Sequence, residues 1–192
     1  MPEAASSRSS TRTVVQPSAY PLDEFYAQAG RTLPRIKVVS GDEVPEPART
    51  LLVHDSDMTP TLEKFHGSAV RLEVLSRKER GDFYFREVVL EKSTDGRPVE
   101  FGAIKINLGL FPAPARKDIL AEVLPLGHVL AKWSLKHTSH PKAYLEVTPD
   151  DFIRGALKLG KVGLLYGRRN TLFDPQGRPL AEIVEILPPQ QT

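Results

Sequence analysis

The sequence predicts a single α+β domain with a mainly antiparallel sheet. Three observations indicate this class. Strands predominate over helices, neighbouring strands are joined mostly by short turns such as "STDGRP" and "DPQG", and the helices fall between groups of strands. A chain of 192 residues with 40% hydrophobic content is also long enough to bury one proper core.

Two helices in the first third of the chain are marked by their ends. "PLDEFYAQAG" is predicted to be a short helix closed by Gly30, because glycine readily adopts the left-handed conformation that follows a helix. In "TPTLEKFHG" we expect Thr59 to be the N-cap, Pro60 the first helical residue and Gly67 the end. Phe65 falls on the apolar face of this second helix.

Two further helical patterns follow. Apolar residues recur with helical spacing through "FPAPARKDILAEVLPLGHVLAKW", and the pattern breaks at Pro125. In "TPDDFIRGALKLG" Thr148 is the expected N-cap, and the two aspartates lie in the first turn, where the helix dipole favours negative charge.

The strands are predicted from alternation of apolar and polar residues. A short strand covers Ile36 to Val39, a longer one covers "AVRLEVLSRKE", and two more flank "STDGRP". Another short strand begins at "AYLEV". The last two strands, "VGLLYGRRNTLF" and "RPLAEIVEILP", form a hairpin around "DPQG".

Composition excludes several classes of function. The 26 basic and 24 acidic residues are interspersed and give a formal net charge of +2, unlike the basic stripe of a nucleic-acid-binding protein. The chain has no cysteine for a disulfide or a thiolate, no phosphate-binding glycine motif and no serine-nucleophile elbow. We therefore expect no sulfur-rich metal site and no nucleotide cofactor.

The N-terminal stretch is predicted to lie outside the domain. Residues 1–18 are rich in Ser, Thr, Arg and Ala and are expected to be a disordered tail, with the domain at 19–192. Neither a secretory signal nor an apolar run long enough to cross a bilayer is present, so we expect a cytoplasmic protein. No helix-turn-helix precedes the domain, so we do not expect it to bind DNA by itself.

One strand combines a charge with apolar neighbours on each face. In "DFYFREVVL" the alternation places Arg86 beside Tyr84 and Val88, while Glu87 shares its face with Phe85. Both faces are therefore expected to be covered. An arginine cannot lose its charge there, so Arg86 requires an anionic partner or a route to water.

Other charged residues are candidates for the same chemistry. Glu182 and Glu185 lie on opposite faces of the last strand, Arg168 and Arg169 on opposite faces of the strand before it, and Lys105 in the strand after "STDGRP". Separated cations with one or two carboxylates would suit a small organic di-acid.

The closest pair of histidines offers a competing site. His137 and His140 lie in "KHTSHP", and a metal site would require further ligands converging from elsewhere. A solvated loop is the preferred interpretation of this pair.

The order of six motifs resembles that of the chorismate lyase family, the chorismate pyruvate-lyases. The motifs are "LLVHDSDMTPTLEKFHG", "FYFREVVL", "LPLGHVL", "DFIRGALKLG", "YGRRNTL" and "GRPLAEIVEILP", and they span roughly Leu51 to Pro188. The resemblance implies one α+β domain with a six-stranded antiparallel sheet and helices that enclose an internal ligand cavity. That fold is also related to the ligand-binding domains of some bacterial transcription regulators.

The resemblance also implies site residues. The family's carboxylate-binding arginine corresponds to Arg86. The cavity-lining residues that it implies are Met58, Thr59, Leu126 and Gly127, with Pro125 beside them.

The position of the family's catalytic glutamate is left open by the sequence. Matching inward from both ends brings Val184 to its place, between the two glutamates of the last strand. A bulge or a one-residue difference in the "DPQG" turn would bring Glu185 in, whereas Glu182 shares the face of Val184. Where the family has an arginine after the glycine of "FGAIKINL", this chain has Ala103, and Lys105 has the same facing.

The expected function is a cofactor-independent elimination of pyruvate from chorismate that gives 4-hydroxybenzoate, a step of ubiquinone synthesis. Arg86 would hold one carboxylate, Lys105 or Arg168 the other, and Glu185 or Glu182 would move the proton. The alternative is a non-catalytic module of the same fold that binds an aromatic acid, and a third option is a lyase or isomerase for a related cyclic di-acid. The expected partner is a small aromatic or cyclic carboxylic acid, and the expected assembly is a monomer or a small homo-oligomer.

Overall fold

The computed structural model describes residues 19–161 and 163–190, so the prediction for residues 1–18 lies outside the described residues. The described residues form a single α+β domain around one antiparallel sheet of seven strands, in the order β1-β5-β6-β7-β4-β3-β2. The predicted class is confirmed. The sheet has one strand more than the resemblance implied, because β1 adds to the edge of β5.

The elements follow the predicted order along the chain, except that the helix at Ala48–Leu52 was not predicted. The strands are β1 (Arg35–Val39), β2 (Val70–Arg80), β3 (Phe83–Lys92), β4 (Pro98–Asn107), β5 (Thr138–Thr148), β6 (Leu165–Phe173) and β7 (Pro179–Leu187). The helices are α1 (Leu22–Gln28), α2 (Ala48–Leu52), α3 (Met58–His66), α4 (Ala113–Leu120), α5 (Leu126–Lys132) and α6 (Asp151–Ala156).

Both faces of the sheet are covered. On one face, α1 and α6 pack their buried side chains, such as Phe25 and Ile153, against Phe85 of β3. On the other face, α2 to α5 cover the sheet, and Tyr84 and Leu90 of β3 point towards them. Eight consecutive residues of β3 are buried, which confirms the two-sided burial predicted from its alternation.

The predicted start of α3 is wrong. The helix begins at Met58 with Asp57 as its N-cap residue, so Thr59 lies inside the first turn. The Asp57 side chain makes no capping hydrogen bond because it binds a histidine instead. Gly67 ends the helix in the left-handed conformation (φ 59°), as predicted, whereas Phe65 is 41% exposed and does not belong to the core.

The predicted cap of α6 is also wrong. Thr148 is the last residue of β5, and Asp150 is the N-cap, with its side chain accepting a hydrogen bond from the backbone N–H of Ile153 at 2.9 Å. An aspartate two residues later in the sequence thus provides the acceptor that the threonine was expected to provide. The break at Pro125 is confirmed, since this residue is the N-cap of α5.

Among the helices of the described residues, none is long and apolar enough to cross a membrane.

Candidate ligand-binding cavity

A cavity of about 60 Å³ lies between the sheet and the helices α3 and α5. Its floor consists of alternate residues of β3, β4, β6 and β7, and its roof of the start of α3 and the face of α5. The apolar lining comprises Met58, Leu72, Val88, Leu90, Ile104, Leu126, Leu130, Leu172 and Ile183. A cavity that holds benzene measures ~150 Å³, so a ring-sized ligand requires the roof to move outwards.

Arg86 lines this cavity from β3 and is only 2% exposed. Its Nε and Nη1 atoms are buried without a hydrogen-bond partner in the described part of the chain. Burial lowers the pKa of Arg86, while Tyr84 and Glu122 raise it. Glu122 is already engaged, because it accepts hydrogen bonds from Tyr84 and Arg77. A buried cation therefore faces the cavity with two nitrogen atoms, Nε and Nη1, that have no partner among the described residues.

Glu185 also lines the cavity, and Glu182 does not. The sheet register explains this choice. Beside the turn, Leu172 pairs with Ala181 but Phe173 pairs with Pro179, so β7 contains one extra residue at this point. Such a bulge shifts the facing of the rest of the strand.

The carboxylate of Glu185 is bound to a second buried arginine. Arg168 is fully buried, and its Nε donates to Glu185 Oε2 at 2.5 Å. The same guanidinium donates to the carbonyl oxygens of His54 at 2.9 Å and Ser56 at 3.1 Å. Arg168 thus ties β7 to the segment before α3, and its donors are engaged by the protein itself.

Glu100 of β4 is a third carboxyl group at the cavity, and it was not among the residues predicted from the sequence. It is 4% exposed, and its Oε2 has no partner among the described residues. Burial raises the pKa of Glu100 well above its ordinary value, and the charge of Glu185 raises it further, against the opposing effect of Arg168. The environment therefore favours the neutral acid.

A signal for Glu100 was present in the sequence. It precedes Gly102 by two residues, so alternation along β4 places both on the face of Ile104. Gly102 leaves room for the carboxyl group, since a Cβ there would lie 3.2 Å from Glu100 Oε1.

The residues implied by the resemblance at the roof do lie there. Met58 and Thr59 of α3 and Leu126 and Gly127 of α5 all line the cavity. The two helices approach closely at Gly127, because a Cβ added at this position would lie 2.7 Å from Thr59 Oγ1 and 2.8 Å from Thr59 Cβ.

Replacing Gly127 with alanine is expected to destabilise the protein by ~1–3 kcal/mol, since the added methyl group must push α3 and α5 apart. Gly155→Ala in α6 is the matched control, because no heavy atom lies within 4 Å of its added Cβ. The control should be neutral or stabilising by ~0.4–1 kcal/mol. Urea unfolding of both variants checks this, and equal effects would contradict a close contact at Gly127.

His137 binds Asp57, which lines the cavity at the start of α3. His137 Nε2 lies 3.0 Å and 2.9 Å from the two carboxylate oxygens of Asp57, and Nδ1 lies 2.8 Å from the carbonyl oxygen of Leu135. Both ring nitrogens face acceptors, so the doubly protonated imidazolium fits best. The hydrogen bond to Asp57 accordingly raises the pKa of His137, in spite of its partial burial.

The contribution of His137 to stability should fall as the pH rises. Because the pKa is raised in the folded state, this contribution is complete below the ordinary value and is lost as the pH passes the folded value. The difference in free energy of unfolding between wild type and His137→Gln should shrink by ~1 kcal/mol as the pH rises from below the ordinary histidine pKa to above the folded one. His54 and His66, whose pKa values are lowered by burial, act in the opposite direction but cancel in this difference. A difference that does not change with pH would contradict the charged pair.

The predicted loop around the histidine pair is partly wrong. His140 lies within β5, where its Nε2 is 3.1 Å from the hydroxyl of Thr138, because "TSHP" continues the strand towards the neighbouring β6. Within residues 19–161 and 163–190, no group of three or more His, Cys, Asp or Glu side chains is arranged to hold a metal ion.

Of the predicted site residues, Arg168, Lys105 and Glu182 do not line the cavity. Lys105 and Glu182 are on the opposite face of the sheet, where Lys105 Nζ donates to Glu182 Oε2 at 2.9 Å. Lys105 follows the cavity-lining Ile104 by one residue, so alternation turns it away, and the bulge in β7 does the same for Glu182.

The antiparallel sheet with a helical layer on each face is the α+β fold that the resemblance to the chorismate lyase family implied. No protein-family model and no curated protein sequence matches the chain. Solved structures do. PhnF from Mycobacterium smegmatis matches with a TM-score of 0.52 and 11% identity, over 70% of this chain and 64% of PhnF.

Two isolated domains are similar as well. The effector domain of PhnF matches with a TM-score of 0.51 and 11% identity, over 68% of this chain and 87% of that domain. A ligand-binding domain from Bordetella bronchiseptica, assigned to the GntR family of transcriptional regulators, has a TM-score of 0.49 and 12% identity, over 64% of this chain and 87% of its own. The two PhnF structures, with TM-scores above 0.5 and 11% identity, support the fold alone.

Proposed function

We propose that this domain is a non-catalytic module that binds a small aromatic or cyclic carboxylic acid in the cavity through Arg86. The supporting observation is the buried guanidinium, whose Nε and Nη1 atoms have no hydrogen-bond partner within residues 19–161 and 163–190. A ligand carboxylate would accept charge-assisted hydrogen bonds from these atoms and neutralise the cation. The apolar side chains around Arg86 would pack on the ring.

The energetics of the cavity support this role. A buried charge without a partner is costly, and the cost is removed when an anion binds. Part of the affinity must be spent on moving the roof, since the cavity of about 60 Å³ is smaller than a ring. The fold shared with the effector domain of PhnF is consistent with a module of this kind.

Elimination of pyruvate from chorismate is the second candidate. It is favoured by the position of Glu185 on the cavity face, in the same cavity as Arg86, Leu126 and Gly127. It is disfavoured by charge, because chorismate carries two carboxylates. Of the two cations expected to hold the second one, Arg168 is engaged by Glu185 and Lys105 lies on the opposite face.

Calorimetric titration with benzoate and 4-hydroxybenzoate tests the binding module, with benzamide as the uncharged control ligand. Wild type should bind the acids and not the amide, and Arg86→Met should weaken acid binding by about 100-fold. Equal binding by wild type and Arg86→Met would contradict the proposal.

Incubation with chorismate under metal-free conditions separates the two candidates. The binding module should release no pyruvate above the uncatalysed rate. If pyruvate and hydroxybenzoate do appear, and Glu185→Gln abolishes the turnover while Glu182→Gln does not, the lyase replaces the binding module and Glu185 is its proton-transfer group.

A further inference from the structure

The unpartnered polar groups of the cavity lie far apart on its floor. Arg86 belongs to a row of cross-strand neighbours that continues through Ile104 and Ile183 to Asn170. Asn170 lines the cavity, and its Oδ1 has no partner among the described residues. Glu100 lies on the same strand as Ile104, ~13 Å further along at ~3.3 Å per residue. A ligand held by Arg86 thus has a second polar group, Glu100, available at the other end of the same cavity.

The charges around Glu100 leave it without a cation of its own. Arg168 is bonded to Glu185, and the negative charge of Glu185 raises the pKa of Glu100. His54 lies against Arg168 with a pKa lowered by burial and by that guanidinium, so it contributes no charge at neutral pH. Glu185 is therefore bonded to Arg168, and Glu100 feels the charge of the same arginine without a bond to it. Arg86 belongs to a different row of the sheet.

We infer that Glu100 remains a neutral carboxylic acid and contacts the ligand directly, so that the cavity selects acids with one negative charge and a second, uncharged hydrogen-bonding group. The inference rests on the proposed function, in which Arg86 holds the carboxylate of the ligand. With Glu100 neutral, Arg168 balanced by Glu185 and the cavity-lining Asp57 balanced by His137, the charge left among the described lining residues is the positive charge of Arg86. A neutral carboxyl group can donate its O–H to a hydroxyl or accept from it. A second carboxylate on the ligand would instead meet Glu185 and Glu100 with no free cation.

Titration with three classes of ligand tests the selection. The probes are benzoate, the 3- and 4-hydroxybenzoates, and the benzenedicarboxylates with the same substitution patterns. In wild type, the better hydroxybenzoate should bind about 10-fold more tightly than benzoate, and the dicarboxylates should bind more weakly than either. Glu100→Gln, which keeps the shape and the neutral state, should preserve this order, and Glu100→Leu should reduce the hydroxyl preference to about 1-fold.

Several outcomes would overturn the inference. A hydroxyl preference that is unchanged in Glu100→Leu would show that Glu100 does not contact the ligand. A gain of about 10-fold or more in dicarboxylate binding by Glu100→Gln would show that Glu100 is charged in wild type. Absence of binding by every acid, or binding that survives Arg86→Met, would instead contradict the proposed function.

If no acid binds, the protonation state of Glu100 can still be tested without a ligand. If Glu100 is neutral in the folded state, its pKa there exceeds its ordinary value of 4.5, and the unfolded chain releases the proton first. Wild type must then lose stability relative to Glu100→Gln as the pH rises above that value, until the folded pKa is reached. Urea unfolding of both proteins over this range should show a widening difference. A constant difference would mean that Glu100 is ionised in the fold, which would overturn the inference whatever binds.

Discussion

Arg86→Met is expected to raise the free energy of unfolding of the ligand-free protein by ~1–4 kcal/mol, although it weakens acid binding by about 100-fold. The guanidinium is 2% exposed and has no ion pair among the described residues, so methionine of similar length removes a desolvated charge and adds apolar packing. Urea unfolding of wild type and variant, each with and without benzoate, measures both effects. Benzoate should stabilise wild type only.

Arg77→Met is a suitable control for this effect. Arg77 pairs with Arg86 across β2 and β3, but its side chain is 63% exposed and binds Glu122 at the surface. Its replacement should change the free energy of unfolding by less than ~1 kcal/mol. If Arg86→Met were destabilising by several kcal/mol, Arg86 would have a structural partner, and its role in ligand binding would lose its support.

Arg168→Met is expected to change stability in the opposite direction, lowering the free energy of unfolding by ~3–5 kcal/mol. The variant leaves Glu185 as a buried, unpaired carboxylate beside Glu100, and removes the donor from the carbonyl oxygens of His54 and Ser56. Urea unfolding measures the loss, and near-ultraviolet circular dichroism shows whether the fold is retained.

The next residue along the chain provides the matched control. Arg169 points to the other face of the sheet, where its Nη2 lies 3.7 Å from Glu182 Oε1 and the side chain is 21% exposed. Arg169→Met should therefore cost less than ~1 kcal/mol. Equal losses in the two variants would mean that the Arg168–Glu185 pair is not a specific link between β7 and the segment before α3.

Period-two alternation predicted the part of the site that depends on one strand. In β3 it placed Arg86 on the face of Tyr84 and Val88 and indicated that both faces are covered, because side chains of a strand must alternate whatever surrounds it. It could not choose between Glu182 and Glu185. That choice depends on one extra residue beside the turn in β7, and the sequence allowed the bulge without locating it.

The pairing of charges between distant segments was beyond sequence reasoning. Arg168 was expected to be available for a ligand, but it is bonded to Glu185 and to carbonyl groups more than one hundred residues earlier in the chain. The prediction of the N-cap of α3 was wrong for a similar reason. Asp57 and Thr59 are both acceptable caps by type, and Asp57 stands at the start of α3 while its side chain binds His137.

The strand order has a consequence for the synthesis of the protein on the ribosome. β7 lies between β6 and β4, and it is translated after both of them. Until it emerges, β2–β3–β4 and β1–β5–β6 can form only as two separate sheets, each with an open edge that can pair with another chain. Arg86 and Glu100 belong to the first of these sheets and Arg168 to the second, while Glu185 arrives with β7. The same insertion that closes both open edges therefore assembles the cavity, so a nascent chain completes the cavity only once it no longer exposes these edges.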